Sequence, residues 1–282
     1  MTVSDAELAS LAAGHDIITL GIAADEARRA RHGARTTFVR VADVDAAPGA
    51  EIAVPAPAGE VRIVGAPESR EAAVRRVREV AAAAPGKALS GFSLADLEQL
   101  AAGERITLRE LLEDLAAAGL ELVAEAPFDR LRDPKRAIEE VNIGGLRLAR
   151  LTIHQLPTDD ATALYKRIVA VQYEVGVISA FAPLPRAVNP AVPTTGYDDV
   201  RRIALARLFL TDVPSIQVDW TLYGPKLAQV ALTVGANDID AVSAVDDMSE
   251  GRRRATLEEV RRNVRAAGLE PVERDGRFDP RP

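Results

Sequence analysis

Short apolar or β-branched runs alternate with longer amphipathic ones along nearly the whole chain. That alternation constrains the fold more than any other feature. The strand-like runs are 36–41, 61–65, 88–92, 122–126, 146–154, 177–184, 216–223 and 239–245. Helical periodicity fills about 16–31, 70–84, 93–102, 158–174, 197–210 and 225–234, with further helices opened by Thr107 and Pro134. Strands separated by helices pair in parallel through right-handed crossovers. Eight of them favour closure into a (β/α) barrel over an open doubly wound sheet. The expected class is α/β.

Helix ends support these boundaries. Ser4 with Glu7, Thr107 with Glu110, and Thr256 with Glu259 have capping-box spacing, in which hydroxyl and carboxylate satisfy each other's orphan backbone donors. Pro134 after Asp133 suits a first helical turn. Residues 1–34 read as an N-terminal helical cap, and 35–282 as the barrel with a C-terminal helix and tail. One unit breaks the rhythm. Residues 42–60 carry Pro48, Pro55 and Pro57 and have no helical period, so the barrel is expected to be open or patched there.

Aromatics are only 4% of the residues, so the core must be built from Ala, Val, Leu and Ile. Cysteine is absent, which removes disulfides, thiolate zinc sites and cysteine-held clusters. The three histidines, His15, His32 and His154, show no ligand spacing, and no metal site is expected. A net charge of −7 argues against a general nucleic-acid binder. No apolar run reaches the ~18 residues of a membrane span, and the acidic start does not resemble a secretory signal. The expected setting is cytoplasmic, with no membrane partner.

The run from Trp220 through Gly224, Pro225 and Lys226 to Leu232, followed by Gly235, Ala236, Asn237, Asp238 and Asp240, resembles the last strand–helix–strand of a known family. This family comprises the radical-SAM enzymes of the menaquinone futalosine pathway, aminofutalosine synthase and dehypoxanthine futalosine cyclase, with the related deazaflavin-cofactor synthases. Phe181 to Leu184, Thr195 to Arg201 and the helix at 203–210 match in the same order. Nearer the start, Leu20 to Asp25, Arg31 to Gly33 and Thr37 to Arg40 do so as well. The resemblance implies a (β/α) barrel of radical-SAM type. It also implies a three-cysteine loop after the first strand, which holds a [4Fe–4S] cluster, and a glycine-rich segment after the fourth strand. Here residues 41–57 contain no Cys, and Leu122 to Pro127 stand where the glycine-rich segment is expected. The expectation is therefore a cluster-free relative with no cofactor.

In a closed barrel, side chains alternate between lumen and helix-facing shell, and ligands sit at the C-terminal strand ends. Along 216–222 the polar parity is Gln217, Asp219 and Thr221. Arg150, Thr152 and His154 share one face of their strand, and Val123 and Glu125 one face of theirs. The expected catalytic set is Glu125, His154 and Asp219, which suits general acid–base chemistry. Substrate contacts are expected from Arg150, Thr152, Gln217, Trp220 and Lys226. The same residues could instead satisfy one another without turnover. The function expected is binding of, or non-radical action on, a nucleoside or carboxylated aromatic of that pathway. If the chain is an enzyme, it is expected to be a cofactor-independent lyase, hydrolase or isomerase. The alternative is a non-catalytic paralogue that pairs with and regulates an active enzyme, in a homo- or hetero-oligomer.

Overall fold

In a computed structural model, which describes residues 5–155, 161–187, 194–246 and 256–281, the alternation becomes a closed parallel barrel. The strands are β1 (Arg35–Asp45), β2 (Glu60–Val64), β3 (Ala88–Ser93), β4 (Leu122–Pro127), β5 (Arg147–Leu148), β6 (Leu151–Ile153), β7 (Ala180–Pro185), β8 (Ser215–Asp219), β9 (Asp238–Ser243) and β10 (Glu270–Arg274). The helices are α1 (Asp5–Ala13), α2 (Ile17–His32), α3 (Arg70–Ala83), α4 (Leu94–Glu104), α5 (Leu108–Ala118), α6 (Pro134–Ile143), α7 (Ala161–Val175), α8 (Gly196–Phe209), α9 (Trp220–Leu232) and α10 (Thr256–Ala266). Sheet order runs from β1 round to β9, which pairs back onto β1, and β5 and β6 act as two pieces of one barrel strand.

Every expected strand run falls on an observed strand, with one shift and one omission. The run at 216–223 ends as a strand at Asp219, because the Asp219 carboxylate accepts from Leu222 N and caps α9. Trp220 is thus a helix residue. Gly224 (φ 73°) interrupts α9 before Pro225 restarts it. The omission is β10, short and poor in apolar residues, which lies parallel to the first half of β1.

The irregular unit contains no helix, as its prolines suggest, but the barrel is not open there. Val41 to Asp45 pair directly with Glu60 to Val64. Three cations satisfy carbonyls that a crossover helix would have satisfied internally. Arg76 of α3 donates to Asp45 O and Ala50 O (both 2.9 Å), Lys87 to Ala56 O and Ala58 O (2.7 and 2.8 Å), and Arg281 to Pro57 O (2.7 Å). Buried carbonyls need such partners.

The capping box expected at Thr107 forms with both reciprocal bonds, and Thr195 with Asp198 makes another that the sequence reading did not single out. The box expected at Ser4 lies outside the described residues. Helices α1 and α2 lie along the barrel flank against α8: Arg201 donates to Gly14 O, and Tyr197 to His15 O. Leu20 and Ala24 of α2 join the apolar core formed by the outward face of the strands and the inward face of the helices. Among the described residues no helix is long and apolar enough to cross a membrane.

Candidate functional site: a barrel lumen built from ion pairs

The aliphatic residues Val61, Ile63, Val123, Leu148, Leu151, Phe181, Ile216, Val218, Ile239 and Val242 point outward into the helix-facing core. What alternates with them is mostly charged, and the lumen holds ion pairs at three levels.

At the base, Asp238 is fully buried and receives both arms of Arg274 (Nε 2.7 Å, Nη2 2.6 Å). Gln217 Nε2 donates to it at 2.8 Å, and the Thr37 hydroxyl donates as well. Half-way up, Arg62 donates to Glu60 (2.8 Å) and Asp240 (2.9 Å), while Arg150 pairs with Asp240 and lies 3.5 Å from Glu60. Ser90 Oγ adds a bond to Glu60 at 2.6 Å, and Arg150 Nε donates to Ala124 O at 2.8 Å. All four charged members are buried, two of each sign. Burial pushes the Glu60 carboxyl up, but Arg62 and Arg150 outweigh it and hold the group at about 2. Arg150 is drawn down to about 9 by burial and by the charge of Arg62.

At the mouth, formed by the C-terminal strand ends, Arg186 at the end of β7 reaches Asp219 on β8 and Glu125 on β4 (3.2 Å). Asp43 of β1, opposite Arg62 in register, is exposed. Desolvation raises its carboxyl, and the neighbouring Glu60 and Asp219 add to the rise against Arg62 and Arg150. Arg186 thus serves two carboxylates, and Asp43 adds a third beside Arg62 of the level below. Asp129 nearby accepts the backbone N–H groups of His154 (2.7 Å) and Gln155 (2.8 Å).

Glu125 and Asp219 meet at the mouth through Arg186. Arg150 and Gln217 lie deeper and are occupied by internal partners. The polar parity of β8 faces inward as expected, but β4 does not keep the Val123–Glu125 face. Leu148 and Leu151 both point into the shell, so the strand turns over between them, and β4 follows it. Thr152 is buried with an unpartnered hydroxyl, and Gln217 Oε1 is likewise without a partner. His154 is half-buried, and its imidazole makes no hydrogen bond among the described residues. Trp220 packs in the apolar shell, and Lys226 is exposed on α9.

Sequence reading missed Asp43, Glu60, Arg62, Arg186 and Asp240. A signal existed for three of them: Glu60-Val61-Arg62-Ile63 and Asp238-Ile239-Asp240 alternate charge with aliphatics, the mark of a strand with a polar lumen face. Arg186 lies just past its strand and carries no periodicity.

Residues 184–282 match the family model for the CofH/MqnC C-terminal region. That stretch includes Arg186, Asp219, Asp238, Asp240 and Arg274, whereas Asp43, Glu60, Arg62, Glu125 and Arg150 come from the other part of the chain. The aminodeoxyfutalosine synthase of Thermus thermophilus is 31% identical over 227 residues, which is 69% of this chain and 60% of that enzyme. The 5-amino-6-(D-ribitylamino)uracil–L-tyrosine 4-hydroxyphenyl transferase of Archaeoglobus fulgidus is 28% identical over 66% of this chain and 63% of its own length. The cyclic dehypoxanthine futalosine synthase of Streptomyces coelicolor is 23% identical over 67% of this chain and 54% of its own. The chain thus spans less than two thirds of the length of these relatives. In fold it is similar to methylornithine synthase, with a TM-score of 0.67 at 14% identity over 96% of this chain and 95% of that one.

Proposed function

We propose that this chain, which resembles the radical-SAM family of the futalosine pathway and shares its barrel, works without an iron–sulfur cluster and binds a nucleoside-like ligand at the barrel mouth. A cluster does not fit the donors present. The sequence has no thiolate, and among the described residues no group of three His, Asp or Glu could hold a metal ion.

The observation that carries the ligand class is the set of acceptors at the mouth: Arg186 serves Glu125 and Asp219, and the exposed Asp43 beside them has no hydrogen bond or ion pair among the described residues. An excess of acceptors suits an uncharged, donor-rich molecule, such as a ribose with its hydroxyls and an amino-bearing base. It disfavours a free carboxylate. Arg150, which sequence reading would pair with a substrate carboxylate, is already paired with Asp240 and Glu60. Glu125 and Asp219 are positioned by their ion pairs with Arg186, and their remaining acceptor sites are suited to orienting hydroxyl groups.

Calorimetric titration with adenosine, an uncharged amino-bearing nucleoside, and with benzoate tests the reading. The nucleoside should bind more tightly, and Glu125→Gln should weaken it about tenfold, the effect of losing a hydrogen bond to a charged group. Tighter binding of benzoate, or indifference to both Glu125→Gln and Asp43→Asn, would discard the mouth reading. Anaerobic treatment with iron and sulfide should leave the protein colourless. A charge-transfer band with stoichiometric iron would discard the cluster-free reading.

A further inference from the structure

We propose that the base of the barrel holds a separate site for a compact apolar molecule bearing one negative charge, of the class of cyclic or branched aliphatic carboxylates. The site arises from a gap in the sheet. Strand β5 has only two residues and pairs with β4 alone, and the ladder towards β7 begins only at Leu151 opposite Phe181. Residues 177–179, which precede β7, belong to no strand. The barrel wall is therefore interrupted at its base, and a cavity of about 400 Å³ lies there. That volume is in the range of small-molecule sites.

Its walls are apolar, with Leu122 from the lumen side, Leu148 from β5 and Val141 from α6. Phe278 of the C-terminal tail borders it and is held in place, because the Arg274 guanidinium lies over its ring at 4.0 Å while gripping Asp238. Two arginines line the opening, and they differ. Arg277 is neutralised: Nε and Nη2 each donate to the Glu121 carboxylate at 2.7 Å, and Nη1 reaches Asp275 at 3.2 Å. Arg147 is exposed, and its side chain has no hydrogen bond or ion pair among the described residues. Glu121, whose carbonyl accepts from Arg147 N, commits its carboxylate to Arg277. An apolar hollow with one uncompensated guanidinium at its rim selects a small monoanion. The hydroxyls of Ser179 and Ser215 border the same space and can supply further hydrogen bonds.

The probes are cyclohexanecarboxylate and its uncharged amide, titrated by calorimetry against the intact chain. The carboxylate should bind saturably, with the amide about tenfold weaker, and Arg147→Gln should cost the acid a similar factor. Ser179→Trp, at an exposed rim position, should block both ligands. The mouth variant Arg186→Gln should leave carboxylate binding unchanged, which separates this site from the proposed nucleoside site. Equal affinity for acid and amide, absence of saturable binding, or sensitivity to Arg186→Gln but not to Arg147→Gln would overturn the proposal.

Discussion

The middle and the mouth of the lumen use the same side chains to different ends. In the middle, two arginines and two carboxylates are sealed from solvent and matched in number. At the mouth, one arginine serves Glu125 and Asp219, while Asp43 stands exposed with its carboxyl raised. Desolvation makes the difference. A sealed charge must be matched, because leaving it alone costs several kcal/mol, whereas a charge near water can remain partly uncompensated and available. The sealed level therefore works as an internal brace tying β2, β9 and the β5–β6 junction together. The open level is where a ligand can exchange with protein partners.

The sharpest way to break this comparison is to remove one member of the sealed level. Asp240→Ala leaves Arg62 and Arg150 short of an acceptor and should cost about 3–5 kcal/mol in urea unfolding. A loss below about 1 kcal/mol would mean that water reaches the level and that the two regions are alike.

Acid offers the next largest effect. The Glu60 carboxyl sits at about 2 in the fold against an ordinary 4.5. A folded value below the unfolded one means that the stabilisation is complete above the ordinary range and is lost as pH falls from 4.5 towards 2. It amounts to about 3 kcal/mol. Unfolding measured across that window should show the decline, and Glu60→Gln should flatten it.

Mouth substitutions should be milder for stability. Arg186→Gln should cost about 1–3 kcal/mol, because Asp219 is buried but keeps its bond from Leu222 N when the arginine is lost. A larger loss would place Arg186 with the brace. The smallest effect is expected of Asp43→Asn. A carboxyl raised in the fold is strained when ionised, so the amide should stabilise slightly at neutral pH, by well under ~1 kcal/mol, while weakening nucleoside binding.

The barrel was legible because it rests on local periodicity: strand runs alternating every few residues, prolines at 48, 55 and 57, and the capping pairs. Half of the site was legible for the same reason, since Gln217 and Asp219 alternate with Ile216 and Val218. Glu60 escaped because it opens its strand directly after an aperiodic segment, and Arg186 because it follows its strand. Arg150 was found, but its partners were not, as Glu60 and Asp240 lie 90 residues from it on either side.

By itself the sequence determined the parallel barrel, the missing crossover helix and the lack of thiolate ligands, since each follows from residue type and local spacing. Only the tertiary structure decided which charges are sealed together and which stay open at the mouth. Pairing across a barrel depends on strand register, on the turn-over between Leu148 and Leu151, and on the closing contact of β9 with β1. Those are long-range geometries that no local pattern encodes.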